Sequence, residues 1–287
     1  MSGAATDPAA PPPLRATYRL QFTPDFGFPE GAALAPYLAR LGISHVYASP
    51  IFAARPGSTH GYDVTDPTRV NPELGGEAEF RSMAAAFRAH GLGLILDIVP
   101  NHMGVWGDAN RFWLDVLAWG PESRHAPLFD IDWHAPHPGL AGRILAPVLG
   151  SAYGAALAEG ALELRFDAAG FAVWAHGSHR LPVCPRHYSR ILGDAAAVPE
   201  EAPPDDPRRA AALEQLAAMP DRVDAALAAF RGTPGDPASW APLAGLIARQ
   251  HWRPAKYSLD SDALNYRRFF TVTTLAGVRV EEPEGFD

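Results

Sequence analysis

The segment Asp97-Ile-Val-Pro-Asn101-His102 places three polar side chains at the end of an apolar run. The run, Leu92 to Val99, is nearly continuous in apolar residues, which is typical of a buried parallel strand. Polar groups at such a place need hydrogen bonds to one another, to a ligand or to a metal, because leaving one unsatisfied costs about 1–3 kcal/mol. The segment is therefore a candidate binding site, and a polar cluster that only fixes a turn is the alternative.

The elements that position this segment alternate between strand and helix. Strands are predicted at Ala16 to Phe22, Ile43 to Ser49 and Leu92 to Val99. Two helical stripes separate them, formed by Leu34, Tyr37, Leu38 and Leu41 and then by Phe80, Met83 and Phe87. Pro36 predicts a kink or a late start in the first helix, and Gly91 ends the second. The order favours an α/β fold with both helices on one side of a parallel sheet.

After the third strand the alternation stops for about 150 residues, which is far longer than a connecting loop and predicts an inserted subdomain. Within it, residues 162–166 and 171–175 flank a turn and predict a hairpin. A further helix is predicted from a stripe of apolar residues, namely Leu213, Leu216, Val223, Leu227 and Phe230.

Composition excludes several functional classes. The 287 residues are 47% hydrophobic and 20% charged, with a formal net charge of -8, and no basic cluster suits a phosphate backbone, so we expect no nucleic-acid partner. No run of about 18 apolar residues predicts a membrane span. Cys184 is the single cysteine, which fits a reducing compartment, so we expect a cytoplasmic protein. Residues 1–14, rich in Ala and Pro, are predicted to be a disordered leader.

The motifs resemble those of a known family. The sequence DIVPNH resembles the first signature region of glycoside hydrolase family 13, the α-amylase family, and residues 49–67 look like that family's loop after the second strand. Within the family, three further stretches are similar to the maltooligosyl trehalose synthases: ATYRLQF, VLGSAYGAALAEGALELRFD and LNYRRFFTVTTLAGVRVE. Together these stretches span nearly the whole chain after residue 15.

The resemblance implies roles for six residues. Tyr62 would stack on the sugar at the subsite where the bond is cleaved, and His102 would hydrogen-bond that sugar. An aromatic ring suits the apolar face of a pyranose, and placed polar groups suit its hydroxyls. Asp97 and Asn101 would brace the strand end. His60 and Asp63 would line the pocket or serve a structural role.

The resemblance also implies the architecture. Residues 15–103 would form the first part of a (β/α)8 TIM barrel, with about three strands. Residues 104–264 would form the inserted subdomain B, and residues 265–287 would return to the barrel. The family's nucleophile and acid/base follow the fourth and fifth strands, which by the resemblance lie beyond Asp287, so we assign no catalytic residue in this chain and expect it to be inactive alone.

The implied reaction converts the reducing-end α-1,4 bond of a maltooligosaccharide into an α,α-1,1 bond, which is an isomerase reaction. The expected partners are an α-1,4-glucan substrate and a polypeptide that supplies the missing C-terminal half. We expect no cofactor and no metal: in metal-dependent amylases the residue matching Asn101 helps bind calcium, but no oxygen cage is evident here. The alternatives are a hydrolase or 4-α-glucanotransferase of the same family, and a non-catalytic glucan-binding remnant.

Overall fold

A computed structural model describes residues 12–193, 203–258 and 263–283. The chain divides into two compact units, Met1–Gly104 and Val105–Asp287. The predicted leader falls largely outside the described residues. The domain boundaries predicted above stay predictions.

The first unit consists of short strands and helices. Its strands are β1 (Thr17–Leu20), β2 (His45–Ala48), β3 (Phe52–Ala54), β4 (Val64–Val70), β5 (Gly93–Leu96) and β6 (His102–Gly104). Its helices are α1 (Phe28–Ala33), α2 (Ala35–Arg40) and α3 (Gly76–Ala89), with a 3-10 turn at Pro72–Leu74.

A parallel sheet in the order β1-β2-β5 organises the first unit. In its register Arg19 lies opposite Tyr47, and Tyr47 opposite Ile95. The three predicted strands are therefore confirmed, each shorter than predicted by a few residues at its ends. β3 and β4 form a separate antiparallel pair, which presents the loop between them.

The helices pack on one core with the sheet. Buried side chains from β1 and β2 join Phe28, Leu38, Met83 and Phe87 in a single hydrophobic cluster, in which each of these four residues is fully buried. Because alternate residues of a strand point to opposite faces, Leu20, Val46 and Ala48 give one face of the sheet to this cluster. The alternating order and this packing give an α/β fold.

The first helical stripe differs from the prediction. Two short helices meet at Leu34, and α2 begins at Ala35 with Pro36 in its first turn, where a missing backbone N–H costs nothing. The late start is thus confirmed. Only part of the stripe is buried, because Tyr37 is 49% exposed and Leu41 53% exposed. The helix α1, which was not predicted, adds the buried Phe28 to the core.

The second unit holds more elements. Its strands are β7 (Ile144–Leu149), β8 (Leu162–Asp167), β9 (Gly170–Ala175), β10 (His179–Pro182), β11 (Trp252–Lys256), β12 (Arg268–Phe269) and β13 (Val272–Gly277). Its helices are α4 (Arg111–Trp119), α5 (Tyr153–Ala158), α6 (Ser189–Leu192), α7 (Arg208–Ala217), α8 (Pro220–Ala228) and α9 (Ala241–Ile247). Shorter 3-10 turns lie at Gly120–Glu122, Ala126–Leu128, Pro185–His187 and Pro237–Trp240.

Three small sheets shape this unit. β8, β9 and β10 form an antiparallel meander, which confirms the predicted hairpin. β7 pairs with β11 in parallel, and β12 pairs with β13 antiparallel. The single helix predicted around residues 213–230 is wrong: Pro220 starts a second helix there, because proline lacks the N–H and favours the first turn of a helix. No helix in the described part of the chain is long and apolar enough to cross a membrane.

The core of the first unit can be tested with one matched pair of leucines. Leu38 is 0% exposed and Leu41 is 53% exposed. Leu38→Ala should lower the free energy of unfolding by about 2–5 kcal/mol, because it leaves a cavity. Leu41→Ala should change it by less than about 0.5 kcal/mol. Urea unfolding curves of both variants provide the measurement, and equal losses would contradict the packing described here.

Candidate glucan-binding site

A hydrogen-bonded group of three side chains lies at the strand ends of the first unit. The hydroxyl of Tyr62 donates to Oδ2 of Asp97 at 2.5 Å and accepts from Nη2 of Arg19 at 2.8 Å. The third side of the triangle is the ion pair between Arg19 Nη1 and Asp97 Oδ2 at 3.1 Å. We call these three residues the Tyr62 triad. The triad fixes the phenol ring of Tyr62. The residue as a whole is 37% exposed.

Each member of the triad comes from a different element. Arg19 is on β1, Asp97 directly follows β5, and Tyr62 lies in the loop between β3 and β4. The middle strand β2 contributes Tyr47, whose ring lies 4.8 Å from the Arg19 guanidinium carbon. Parallel strands bring their carboxyl ends to one edge of the sheet, which is why residues distant in sequence meet there.

The loop that carries Tyr62 needs a glycine before it. Gly61 has φ +74°, and a Cβ at this position would lie 2.9 Å from the carbonyl oxygen of Pro50. Both the left-handed conformation and the close approach exclude larger residues. Gln21 Nε2 donates to the carbonyls of Thr59 and His60, each at 3.3 Å. The end of β1 and the residue after it therefore contact both the Tyr62 loop, through Gln21, and the other members of the triad, through Arg19.

His102 supports the backbone of Tyr62. Its Nε2 lies 2.9 Å from the carbonyl oxygen of Tyr62, and its Nδ1 lies 3.1 Å from Oδ1 of Asn101. Burial lowers the pKa of His102, although the hydrogen bond to Tyr62 and the nearby Asp63 oppose this. The neutral ring has one N–H, which donates from Nε2 because the backbone carbonyl can only accept. Nδ1 is then an acceptor, and the side chain of Asn101 meets it by turning its NH2 group toward the ring. The residue is 3% exposed, and hydrogen bonding of a sugar by His102 stays a prediction.

His60 and Asp63 flank the tyrosine. Ser58 Oγ donates to Oδ1 of Asp63 at 2.5 Å, and His60 Nδ1 lies 3.8 Å from the same oxygen. The imidazole of His60 stacks beside the ring of Tyr62 with 6.1 Å between centroids, and its side chain is 52% exposed. Asp63 thus fixes the loop, while His60 remains accessible next to Tyr62.

The hydrogen bonds of the triad determine the protonation states of Asp97 and Tyr62. Burial alone would raise the pKa of Asp97, but hydrogen bonds from Tyr62, Arg19 and Tyr47 outweigh it, so the pKa lies below its ordinary value. The hydrogen bond to Asp97, together with burial, raises the pKa of Tyr62. At neutral pH the group is a carboxylate, a guanidinium and a neutral phenol. An ionised Asp97 can accept hydrogen bonds, but it has no proton to give to a leaving group.

The six residues predicted from the sequence lie at this one place: Tyr62, Asp97, Asn101, His102, His60 and Asp63. Sequence reasoning missed Arg19 and Gln21. A signal was present, because the two lie at alternate positions of β1 and its extension, opposite the buried Leu20 and Phe22. Among the described residues no group of three His, Cys, Asp or Glu is arranged to hold a metal ion.

The depressed pKa of Asp97 makes a prediction about acid stability. A carboxyl group whose pKa is lowered on folding stabilises the fold above its unfolded pKa, near 3.8, and loses this contribution as the pH falls through the folded value. Asp97→Asn should therefore lower stability at pH 7 and flatten its decline between about pH 5 and pH 2. Amide exchange in β5, measured across this range, reports the difference.

Asp25→Asn is the matched control, since it makes the same chemical change at an exposed turn residue. It should follow the unsubstituted protein. An acid profile of Asp97→Asn that coincides with both would contradict the role given to the triad.

Comparisons with known proteins show which proteins the chain is similar to. The family "Alpha amylase, catalytic domain" matches residues 34–137. A putative maltooligosyl trehalose synthase of Mycobacterium tuberculosis is 49% identical over 145 residues, covering 48% of this chain and 18% of that protein. The solved maltooligosyltrehalose synthase of Arthrobacter ramosus superposes with a TM-score of 0.66 at 34% identity, over 95% of this chain and 28% of that one.

A further crystal structure, of a maltooligosyl trehalose synthase, gives a TM-score of 0.68 at 29% identity, again over 95% of this chain and 29% of the other. The chain thus spans less than a third of the length of these proteins. In sequence and in structure it is similar to part of the maltooligosyl trehalose synthases, and its residues 34–137 match the α-amylase catalytic domain.

Proposed function

We propose that the Tyr62 triad forms a subsite for one glucose ring of an α-1,4-glucan. The observation that carries this is the exposed phenol of Tyr62, held in place by Arg19 and Asp97. The C–H face of a pyranose packs on an aromatic ring, and its hydroxyls need donors and acceptors at the rim. The triad supplies a fixed cation and a fixed anion beside the ring, and His60 adds an accessible imidazole.

We propose that the parent reaction is an intramolecular transglucosylation that turns the reducing-end α-1,4 bond into an α,α-1,1 bond. A carboxylate attacks the anomeric carbon of the penultimate glucose while an acid protonates the departing oxygen. The released glucose then attacks the covalent intermediate through its own anomeric hydroxyl, and the former acid removes that proton. The names of the similar proteins support this product.

In this proposal the present chain binds and orients the sugar. The nucleophile and acid/base are contributed by residues outside it. The ionised state of Asp97 and its hydrogen bonds from Arg19 and Tyr62 support a bracing role in place of proton transfer. Exclusion of water from the subsite would decide between isomerisation and hydrolysis, because water competes with the released glucose for the intermediate.

We propose further that the first unit is part of a (β/α)8 barrel, with residues 104–264 as an inserted subdomain and 265–287 returning to the barrel. The exposed edge strand supports this: Leu96, the last residue of β5, is 37% exposed, and Ile98, just after that strand, is 62% exposed. Three strands cannot close a barrel. A polypeptide carrying the following strands is the partner we propose.

We propose a cytoplasmic location for the chain. Cys184, which is free and buried, supports it.

Ligand binding tests the subsite directly. Tyr62→Ala should weaken binding of maltotriose to the 287-residue chain by about two- to tenfold, because the stacking surface is lost. Tyr62→Phe keeps the ring and should fall between Tyr62→Ala and the unsubstituted chain. Titrations followed by NMR provide the affinities. Tyr37→Ala removes another exposed tyrosine and serves as control; equal weakening by Tyr37→Ala would contradict the assignment.

Turnover tests the parent reaction. Maltopentaose incubated with this chain alone should give neither trehalose-ended products nor shorter sugars, because proton transfer alone contributes roughly 10²–10⁴-fold and both carboxylates are missing in this proposal. Adding a polypeptide that supplies the downstream strands should produce trehalose-ended products, detected by chromatography. Turnover by the chain alone would show that its own residues include the catalytic carboxylates. Shorter maltooligosaccharides alone would favour a hydrolase, and a mixture of shorter and longer ones would favour a 4-α-glucanotransferase.

A further inference from the structure

The second unit contains a cavity of about 460 Å³ that has no part in the site described above. Such a volume lies within the usual range of small-ligand pockets, roughly 300–1,000 Å³. Its polar and aromatic wall is formed by Trp106, Gly150, His176, His179, Tyr257 and Thr274. We call it the Tyr257 cavity.

The Tyr257 cavity lies at the carboxyl ends of two parallel strands. β7 contributes Leu149 and the following Gly150, and Tyr257 directly follows β11. The backbone N–H of Tyr257 donates to the carbonyl of Leu149 at 2.8 Å, which ties the two ends together. Ligands of parallel sheets bind beyond the carboxyl ends of the strands, so the position of this cavity is one where a ligand site is expected.

The wall of the cavity is uncharged, and it combines polar groups with the apolar side chains of Pro147, Val148 and Leu149. Among the described residues that line it there is no Asp, Glu, Lys or Arg. A larger cavity of about 830 Å³ in the same unit differs, because Arg143, Arg253 and Lys256 line it. An uncharged lining selects against ionic ligands, since desolvating a charge without a partner is costly.

Hydrogen-bonding groups of the wall remain available. Gly150 N–H donates to Nε2 of His176 at 3.1 Å, so Nε2 is an acceptor and Nδ1 is the ring nitrogen that can donate. Within the described part of the chain, no side-chain hydrogen bond engages the hydroxyls of Tyr257 and Thr274. Tyr257 is 65% exposed, so its ring face is open. The cavity thus combines an aromatic face with several groups that can form hydrogen bonds to the hydroxyls of a ligand.

Backbone strain concentrates at the same place. Three non-glycine residues in the described part of the chain have positive φ: Trp106 at 65°, His176 at 51° and Phe270 at 52°. Two of them line the Tyr257 cavity, and Phe270 is in the turn that leads into β13, which carries Thr274. Strained conformations cost about 1–3 kcal/mol each and cluster at ligand sites, where they fix the direction of a side chain.

We propose that the Tyr257 cavity is a second sugar subsite, which binds one neutral pyranose ring of an α-glucan against the face of Tyr257. The hydroxyls of the ring accept from His176 Nδ1–H and exchange hydrogen bonds with Thr274. This rests on the proposed glucan-binding function. It adds a place in the second unit where the sugar chain is held, with Tyr257 as its stacking residue.

The test is an NMR titration of the 15N-labelled 287-residue chain with maltotriose, with gluconate as the charged comparator. Two sets of amide resonances report binding. The cavity set consists of the amides of Gly150, His176 and Thr274, and the Tyr62 set consists of those of Gly61 and Asp63. Maltotriose should shift both sets, and gluconate should leave the cavity set unmoved. Tyr257→Ala should weaken binding in the cavity set alone, by about two- to tenfold.

Two further variants complete the test. Thr274→Val keeps the shape of the side chain and removes its hydroxyl, so it should weaken the same set without loss of fold. Tyr37→Ala is the matched control for removing an exposed tyrosine, and it should change neither set.

The outcomes separate the two sugar sites. Shifts at Gly61 and Asp63 only would overturn the Tyr257 cavity and leave the proposed function standing. Shifts in the cavity set only would support the cavity and overturn the Tyr62 subsite. An absence of shifts in both sets would overturn both. Equal response of the cavity to gluconate would overturn its assignment to neutral sugars.

Discussion

The register of the parallel sheet is the constraint on which the first unit depends. Arg19 lies opposite Tyr47, and the same alignment puts Asp97 just past the end of β5. Because successive side chains of a strand point to opposite faces, a slip of one residue would turn Arg19 into the hydrophobic core and bring Leu20 out of it. Burial of Leu20, Val46 and Ala48 therefore fixes the positions of the charged groups on the other face.

The same arrangement explains why the two titratable neighbours of Tyr62 differ in charge. His102 is almost fully buried and has a carbonyl as partner, and burial lowers its pKa. Asp97 receives hydrogen bonds from Arg19 and Tyr62, and these keep it ionised. A neutral imidazole and a carboxylate can thus lie close to one phenol without competing for a proton. The tyrosine is held through its backbone by one and through its hydroxyl by the other.

The sequence was sufficient to predict the three strands of the parallel sheet and the polar residues that follow β5. Continuous apolar runs and the DIVPNH motif locate β5 and Asp97, because buried parallel strands have that composition. The residues at which helices begin and end were harder to predict from the sequence. Pro36 lies in the first turn of a new helix and Pro220 starts another, and nothing in the apolar spacing distinguishes a break from a kink. Tyr37 and Leu41 fit the helical stripe but lie outside the core, since burial depends on packing that periodicity does not contain.

The partners of the site residues were less predictable than the residues themselves. Arg19 contacts Asp97 across 78 positions of sequence, and such a pairing follows from the sheet order, which a single sequence does not specify. The Tyr257 cavity is harder still, because its wall comes from five separate segments. No local motif joins them.

The exposed edge beside β5 has a consequence for the behaviour of the chain in solution. A strand with free backbone groups and an apolar flank, here Leu96 and Ile98, is a template for pairing with a second copy. Encounters between copies grow with concentration, while the net charge of -8 opposes them. Salt shortens the range of that repulsion to about 8 Å at physiological ionic strength. Dilute, low-salt buffer should therefore keep the chain monomeric, whereas concentrated, salty solution should favour sheets that run from one copy into the next.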